Sequence, residues 1–202
     1  ADGSLDTTFD GDGKQTVDFF ESFDEARDVA LDAAGRIILA GRARNGCNDG
    51  FAVARLNTNG SLDTTFNGNG KRTVDFFGST DEATGVALDA AGKIVLAGSA
   101  IDGVNRDFAV VRLNTNGSLD TTFGAAGKQT VDFFGSSDEA WGVAIDGAGK
   151  ILLAGHARIG GRNDFAVARL NADGSLDTTF DTDGQVTTRF SGTYDRHDYG
   201  TG

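Results

Sequence analysis

The sequence predicts an all-β chain of propeller blades, and three observations carry that prediction. The heptapeptide Gly-Ser-Leu-Asp-Thr-Thr-Phe begins at Gly3, Gly60, Gly117 and Gly174, a constant spacing of 57 residues. Self-similarity at such a period marks an array of supersecondary units, each burying its apolar face against copies of itself. Thirty glycines, no proline and 39% hydrophobic residues in 202 positions describe a turn-rich chain apolar enough to fold. No stretch keeps helical spacing over three turns, and glycine interrupts the chain every ten residues or so.

The second unit shows the elements in order. Asp81 to Asp89 ends in a short alternating run, Ala90-Ala91-Gly92 makes a turn, and Lys93 to Gly98 (KIVLAG) is a compact apolar stretch, which together predict a hairpin. A variable loop, Ser99 to Arg106, leads to a third strand at Asp107 to Leu113. There Phe108, Val110 and Arg112 face one way and Ala109, Val111 and Leu113 the other. Asn114 to Gly127 is a polar connection. Lys128 to Phe134 (KQTVDFF) is the fourth strand, with Val131 and Phe133 on one face. Four short antiparallel strands, the first rich in small residues, match a blade whose innermost strand lies near a crowded axis. A β-helix and a run of separate sandwiches are the alternatives, and β-helix rungs are usually much shorter than 57 residues.

One repeat array over 1–202 divides into blades at 24–77, 81–134 and 138–190, preceded by an orphan outer strand with its loop (1–20) and followed by a degenerate tail (191–202). The fourth-strand motif occurs at Lys14, Lys71 and Lys128 and, degenerate, at Gln185, giving three complete blades plus one extra strand. Propellers close with about four to eight blades, so three leave two raw ends, and unpaired edges associate unless blunted. The expectation is self-association: two chains completing one ring, or a head-to-tail array in which Lys14 to Phe20 docks on a neighbour. The alternative is a fragment of a longer propeller. In the last unit Arg189 stands where earlier units have aspartate, either protecting an edge or pairing with an acidic neighbour.

The motifs GSLDTTF, GK-x-TVDFF, DEA-x-x-VALDAAGKI-x-LAG and DFAVARLN, recurring in fixed order from Ala1 to about Phe190, resemble the delta-60 repeat family. The resemblance implies a propeller-like, secreted or surface-exposed bacterial protein of unassigned biochemical role. It carries over no catalytic residue, and this array is shorter than is usual for the family.

A net charge of −12 argues against nucleic acid or insertion at an anionic membrane as partner, since both would repel this surface. The single cysteine, Cys47, excludes an intrachain disulfide and a thiolate metal cage. No apolar run approaches the roughly 20 residues needed to span a bilayer. A start at Ala1 and no methionine fit either a processed secreted protein or a trimmed chain, and the expectation is an extracellular or cell-surface location.

Comparing the units locates candidate sites. The loop Arg42 to Gly50 and its counterparts vary (RARNGCNDG, SAIDGVNRD, HARIGGRND), as does the entry to the first strand (Arg27, Thr84, Trp141). Both zones are placed on one face of the disc, the constant connections on the other. Trp141 at a loop-strand junction is either a sugar-stacking or anchoring side chain or a packing tryptophan. His156, Arg158 and Arg162 beside it, with Arg27, Arg42 and Arg44, are candidates for binding an anionic group or else solvated charges. The pairs Asp24-Glu25, Asp81-Glu82 and Asp138-Glu139 offer oxygen ligands for calcium or, more plainly, cap turns. Asp6, Asp63, Asp120 and Asp177 of the heptapeptides are expected to close Asx turns, and Arg55, Arg112 and Arg169 to pair with an acid. The two histidines, His156 and His197, do not recur, so nothing assembles a nucleophile with a base. The expectation is a non-catalytic extracellular structural or adhesive protein without a required cofactor, partnered by itself. A glycan-binding propeller using Trp141, and a fragment of a propeller enzyme, are the alternatives.

Overall fold

A computed structural model describes residues 2–189; the degenerate tail expected at 191–202, with Phe190 and His197, lies outside the described residues. Three four-stranded antiparallel sheets follow one another, each with its strands in chain order. The first holds β1 (Asp24–Leu31), β2 (Ile37–Asn45), β3 (Asn48–Leu56) and β4 (Lys71–Val74). The second holds β5 (Glu82–Leu88), β6 (Ile94–Ile101), β7 (Arg106–Leu113) and β8 (Lys128–Val131). The third holds β9 (Asp138–Ile145), β10 (Ile151–Ile159), β11 (Arg162–Leu170) and β12 (Gln185–Thr188).

Alternation along each strand divides the apolar side chains between two interfaces. Phe108 and Val110 enter the core shared with the third sheet, whereas Ala109, Val111 and Leu113 enter the core shared with the first, as expected from the sequence. The middle strands of the second sheet, β6 and β7, are thus buried on both faces, which explains their near-continuous apolar composition. The first strands β1, β5 and β9 contact one another in succession. Val86 N donates to Asp28 Oδ2 at 2.8 Å across the first pair.

Each first strand carries a β-bulge, at Arg27, Thr84 and Trp141. The extra residue pushes the strand backbone onto a glycine of its neighbour: a Cβ on Gly98 would lie 1.9 Å from Glu82 O. That approach explains the Leu-Ala-Gly of every second strand.

The fourth strands are shorter than expected. β8 stops at Val131 because Asp132 Oδ1 accepts from Gly135 N at 2.8 Å and Phe133 N turns away to Asp138 Oδ2 at 2.7 Å. Phe134 then takes a positive φ of 68°. The orphan segment Lys14 to Phe20 is not a strand at all. Its KQTV run has no third strand to pair with, and backbone pairing, not composition, makes a strand. It nevertheless keeps the contacts of an outer strand with the blade that follows. Phe19 N donates to Asp24 Oδ2 as Phe76 N does to Asp81 Oδ2, and Asp10 N donates to Asn59 O as Asn67 N does to Asn116 O.

Candidate functional site

The first and second blades each grip the next through an arginine knot. Arg55 Nε meets Asp63 Oδ2 at 2.8 Å, its guanidinium lies 4.8 Å over Phe66, and its Nη1 donates to Thr115 O of the next blade. Arg112 repeats this with Asp120 (2.7 Å), Phe123 (4.7 Å) and Ala172 O. Arg169 repeats the first two contacts, with Asp177 at 2.7 Å and Phe180 at 4.6 Å. A second cation reaches each carboxylate: Arg36, Lys93 and Lys150. The other oxygen closes the Asx turn, as in Thr65 N to Asp63 Oδ1 at 3.0 Å. Burial opposes the charge on Asp63, yet the Thr65 bonds and the Arg55 guanidinium hold its carboxyl below the usual range. Asp6 makes only the Asx turn, to Thr8, which lowers it too.

The bulge residues also reach forward. Arg27 pairs with Glu82 at 2.6 Å, and Thr84 Oγ1 donates to Ala140 O at 2.7 Å. Trp141, in the third blade, is 56% exposed and tilted against His156 with ring centroids 4.9 Å apart. It therefore stands inside a strand on the blade-stacking face, not at the loop-strand junction expected from the sequence. The reason is the bulge, which turns the extra residue toward the following blade. Phe165 shares this face and is 63% exposed, where its counterparts Phe51 and Phe108 are fully buried. The rear face of the first blade is likewise open at Val29, 58% exposed against 8% for Val86.

The variable zone is mostly strand. β2 runs to Asn45 and β3 starts at Asn48, so the expected loop from Arg42 to Gly50 shrinks to a turn at Gly46-Cys47, with Cys47 exposed and free. Cross-strand charge pairing extends the hairpin: Arg44 lies opposite Asp49 and holds it at 2.7 Å, while Arg42 reaches Asp49 and Glu25, both at 3.2 Å. His156 likewise belongs to β10, half-buried, with Nδ1 buried and unbonded. Arg158 and Arg162 are exposed on the hairpin of the third blade, and Arg158 N donates to Asp138 Oδ1 at 3.1 Å.

The acidic pairs do not come together around an axis. Glu82 is engaged by Arg27, Glu25 by Arg27 and Arg42, and Glu139 by Arg106 at 3.4 Å. Asp24, Asp81 and Asp138 each accept the backbone N–H of a phenylalanine five residues earlier. Burial pushes Asp81 and Asp138 up to about 6.

A different carboxylate group does converge. Asp107, Asp132 and Asp138 present one oxygen each, all within 4.8 Å of one another. They come from the start of β7, the turn after β8 and the start of β9, at the seam of the second and third blades. Asp138 is fully buried and Asp107 is 8% exposed, with a buried Oδ1 that has no hydrogen-bond partner. Burial, then the charges of Asp132, Asp102 and Asp138, push Asp107 up to about 6. Sequence reading passed over Asp107 and Asp132, although a signal existed. The equivalent triplets read Gly50-Asp75-Asp81 in the first unit and begin Asp164, Arg189 in the third.

Three stretches of the chain, 35–66, 92–123 and 149–180, match the family described as a domain of unknown function (DUF5122) β-propeller. The repeats are propeller-type blades. Each matched stretch runs from the turn just before the second strand through the heptapeptide, so it takes in the arginine knot. No curated protein matches the chain. Among solved structures, the chain is similar to a fucose lectin from Kordia zhangzhouensis in complex with methyl-fucoside. The two are 15% identical, the match covers 81% of this chain and 98% of that one, and the TM-score is 0.45. Among the described residues no helix is long and apolar enough to cross a membrane.

Proposed function

We propose that this is a non-catalytic structural repeat protein, working outside the cell, that associates through the end faces of its blade array. The observation that carries this is the exposure of Phe165 at one end and of Val29 and Leu31 at the other, at positions whose counterparts form or pack against the inner cores, with the exposed Trp141 on the same face as Phe165. A second copy is the fitting occupant, because two inner interfaces already pair a forward face with a rear face of the same repeat. The rear seat holds Lys14 to Phe20 where a preceding blade's outer strand belongs, so docking pairs Lys14–Val17 with β11 of the second copy in place of the degenerate β12. Sedimentation velocity between about 1 and 100 µM tests this: the wild type gains mass with concentration, whereas Phe165→Asp and Val29→Asp stay monomeric. A wild type that remains a monomer throughout refutes it.

A second reading, glycan binding, is favoured by one observation, the exposed indole of Trp141 beside the His156 ring. A glycan array whose hits vanish on Trp141→Ala supports it. An array without hits removes it.

A further inference from the structure

We propose that Asp107, Asp132 and Asp138 bind a calcium ion that clasps the second blade to the third. The argument begins with charge. Two of these carboxylates are buried, and three like charges at this separation are held together against their repulsion. Buried carboxylates without a cation or enough donors are costly. Asp138 has its donors, the N–H groups of Phe133 and Arg158, and Asp132 has that of Gly135. Asp107 has none, and its buried Oδ1 stands without a hydrogen bond.

The other two blades show how the same place is neutralised when a cation is built in or a carboxylate left out. In the third blade the counterpart of Asp107 is Asp164. Arg189, the counterpart of Asp132, grips it with Nη2 at 2.8 Å and Nε at 3.0 Å, and this charge lowers the Asp164 carboxyl. The arginine is thus the acidic neighbour's charge partner. In the first blade Gly50 replaces the aspartate, which leaves only Asp75 and Asp81 of the triplet, and the adjacent Asp49 is held by Arg42 and Arg44. Only the second blade keeps all three carboxylates with neither remedy. Arg106, next in sequence to Asp107, is turned to Ser99 and Glu139. A hard divalent cation with all-oxygen ligands fits, and calcium completes its six to eight ligands with water on the exposed Asp132 side.

Binding of calcium chloride alone to the whole chain is measured by calorimetry, and the melting temperature is followed in calcium and in EDTA. The expected Kd is on the order of 10⁻⁴ to 10⁻³ M, as for extracellular modules. At ten times Kd the melting temperature rises by about 3–6 °C. Asp107→Asn removes the repulsion along with a ligand, so it melts no lower than the wild type in EDTA and no longer responds to calcium. Asp132→Arg copies the third blade and behaves likewise. Asp164→Asn, which breaks the Arg189 pair, melts lower yet keeps the full calcium response. A wild type without calcium heat or shift at millimolar concentration, or an Asp107→Asn variant that keeps the response, overturns the proposal.

Discussion

Arg112 and Arg169 occupy the same place in successive blades, but only Arg112 has a next-blade carbonyl to bind, so substituting each in turn isolates that bond. Arg112 is 9% exposed, Arg169 24%. Both lie over a phenylalanine and hold a repeat aspartate, itself shared with Lys93 or Lys150. Replacing Arg112 by alanine strands part of the Asp120 charge in a buried site, which costs about 3–5 kcal/mol. The arginine contacts common to both positions cancel in the comparison. What does not cancel is the charged hydrogen bond from Arg112 to Ala172 O, worth about 1.5–3 kcal/mol. Arg112→Ala is therefore expected to lose more stability than Arg169→Ala by about that amount. Urea denaturation at low micromolar protein, with the m-value checked for constancy, reads both losses. Equal losses within about 0.5 kcal/mol refute the idea that the knot joins blades and reduce it to an ion pair inside one.

Further outcomes follow from the Gly98 contact and from the perturbed carboxylates. Gly98→Ala places a methyl against Glu82 O and is expected to cost more than about 3 kcal/mol or to abolish folding, seen as loss of the cooperative melt by circular dichroism. Asp81 is held up to about 6 by burial and then by Asp75, with Lys128 pulling the other way. An acid raised on folding contributes most when protonated, so stability falls as pH rises from about 4 through 6. Asp63 and Asp120, both lowered, take stability away below about 4. Thermal melts should thus peak at about pH 4 and decline on either side. Asp81→Asn, which keeps an acceptor for Phe76 N, should raise the melt at pH 8 and leave it little changed at pH 4; no gain at pH 8 refutes the assignment.

The periodic part of this fold was legible because it is written twice over, in the 57-residue spacing and in the strict alternation of residues such as Phe108 to Leu113. The turns were legible for a similar reason, since Asx turns at Asp63 or Asp120 depend on neighbours two positions away. What escaped reading depends on partners far along the chain. KQTV forms a strand at Lys128–Val131 and none at Lys14, because only one of the two has a third strand beside it. A bulge adds one residue without changing composition, so the sequence points to a loop-strand junction for Trp141, which stands in mid-strand. The acidic pairs drew attention through adjacency, whereas the carboxylates that converge come from three elements and show only when units are aligned at Gly50, Asp107 and Asp164.

The arginine knot gives the array a direction. Arg55 and Arg112 each grasp a carbonyl of the blade that follows, never of the one before, so the two ends of a stack differ chemically even though the units are near copies. Arg169 is a hand held out, and the carbonyl of Thr58, its counterpart in the first blade, a handle. Molecules joining through these groups line up heel to toe, and a polymer so made would carry an arrow, with unlike tips that grow and shorten at unlike speeds.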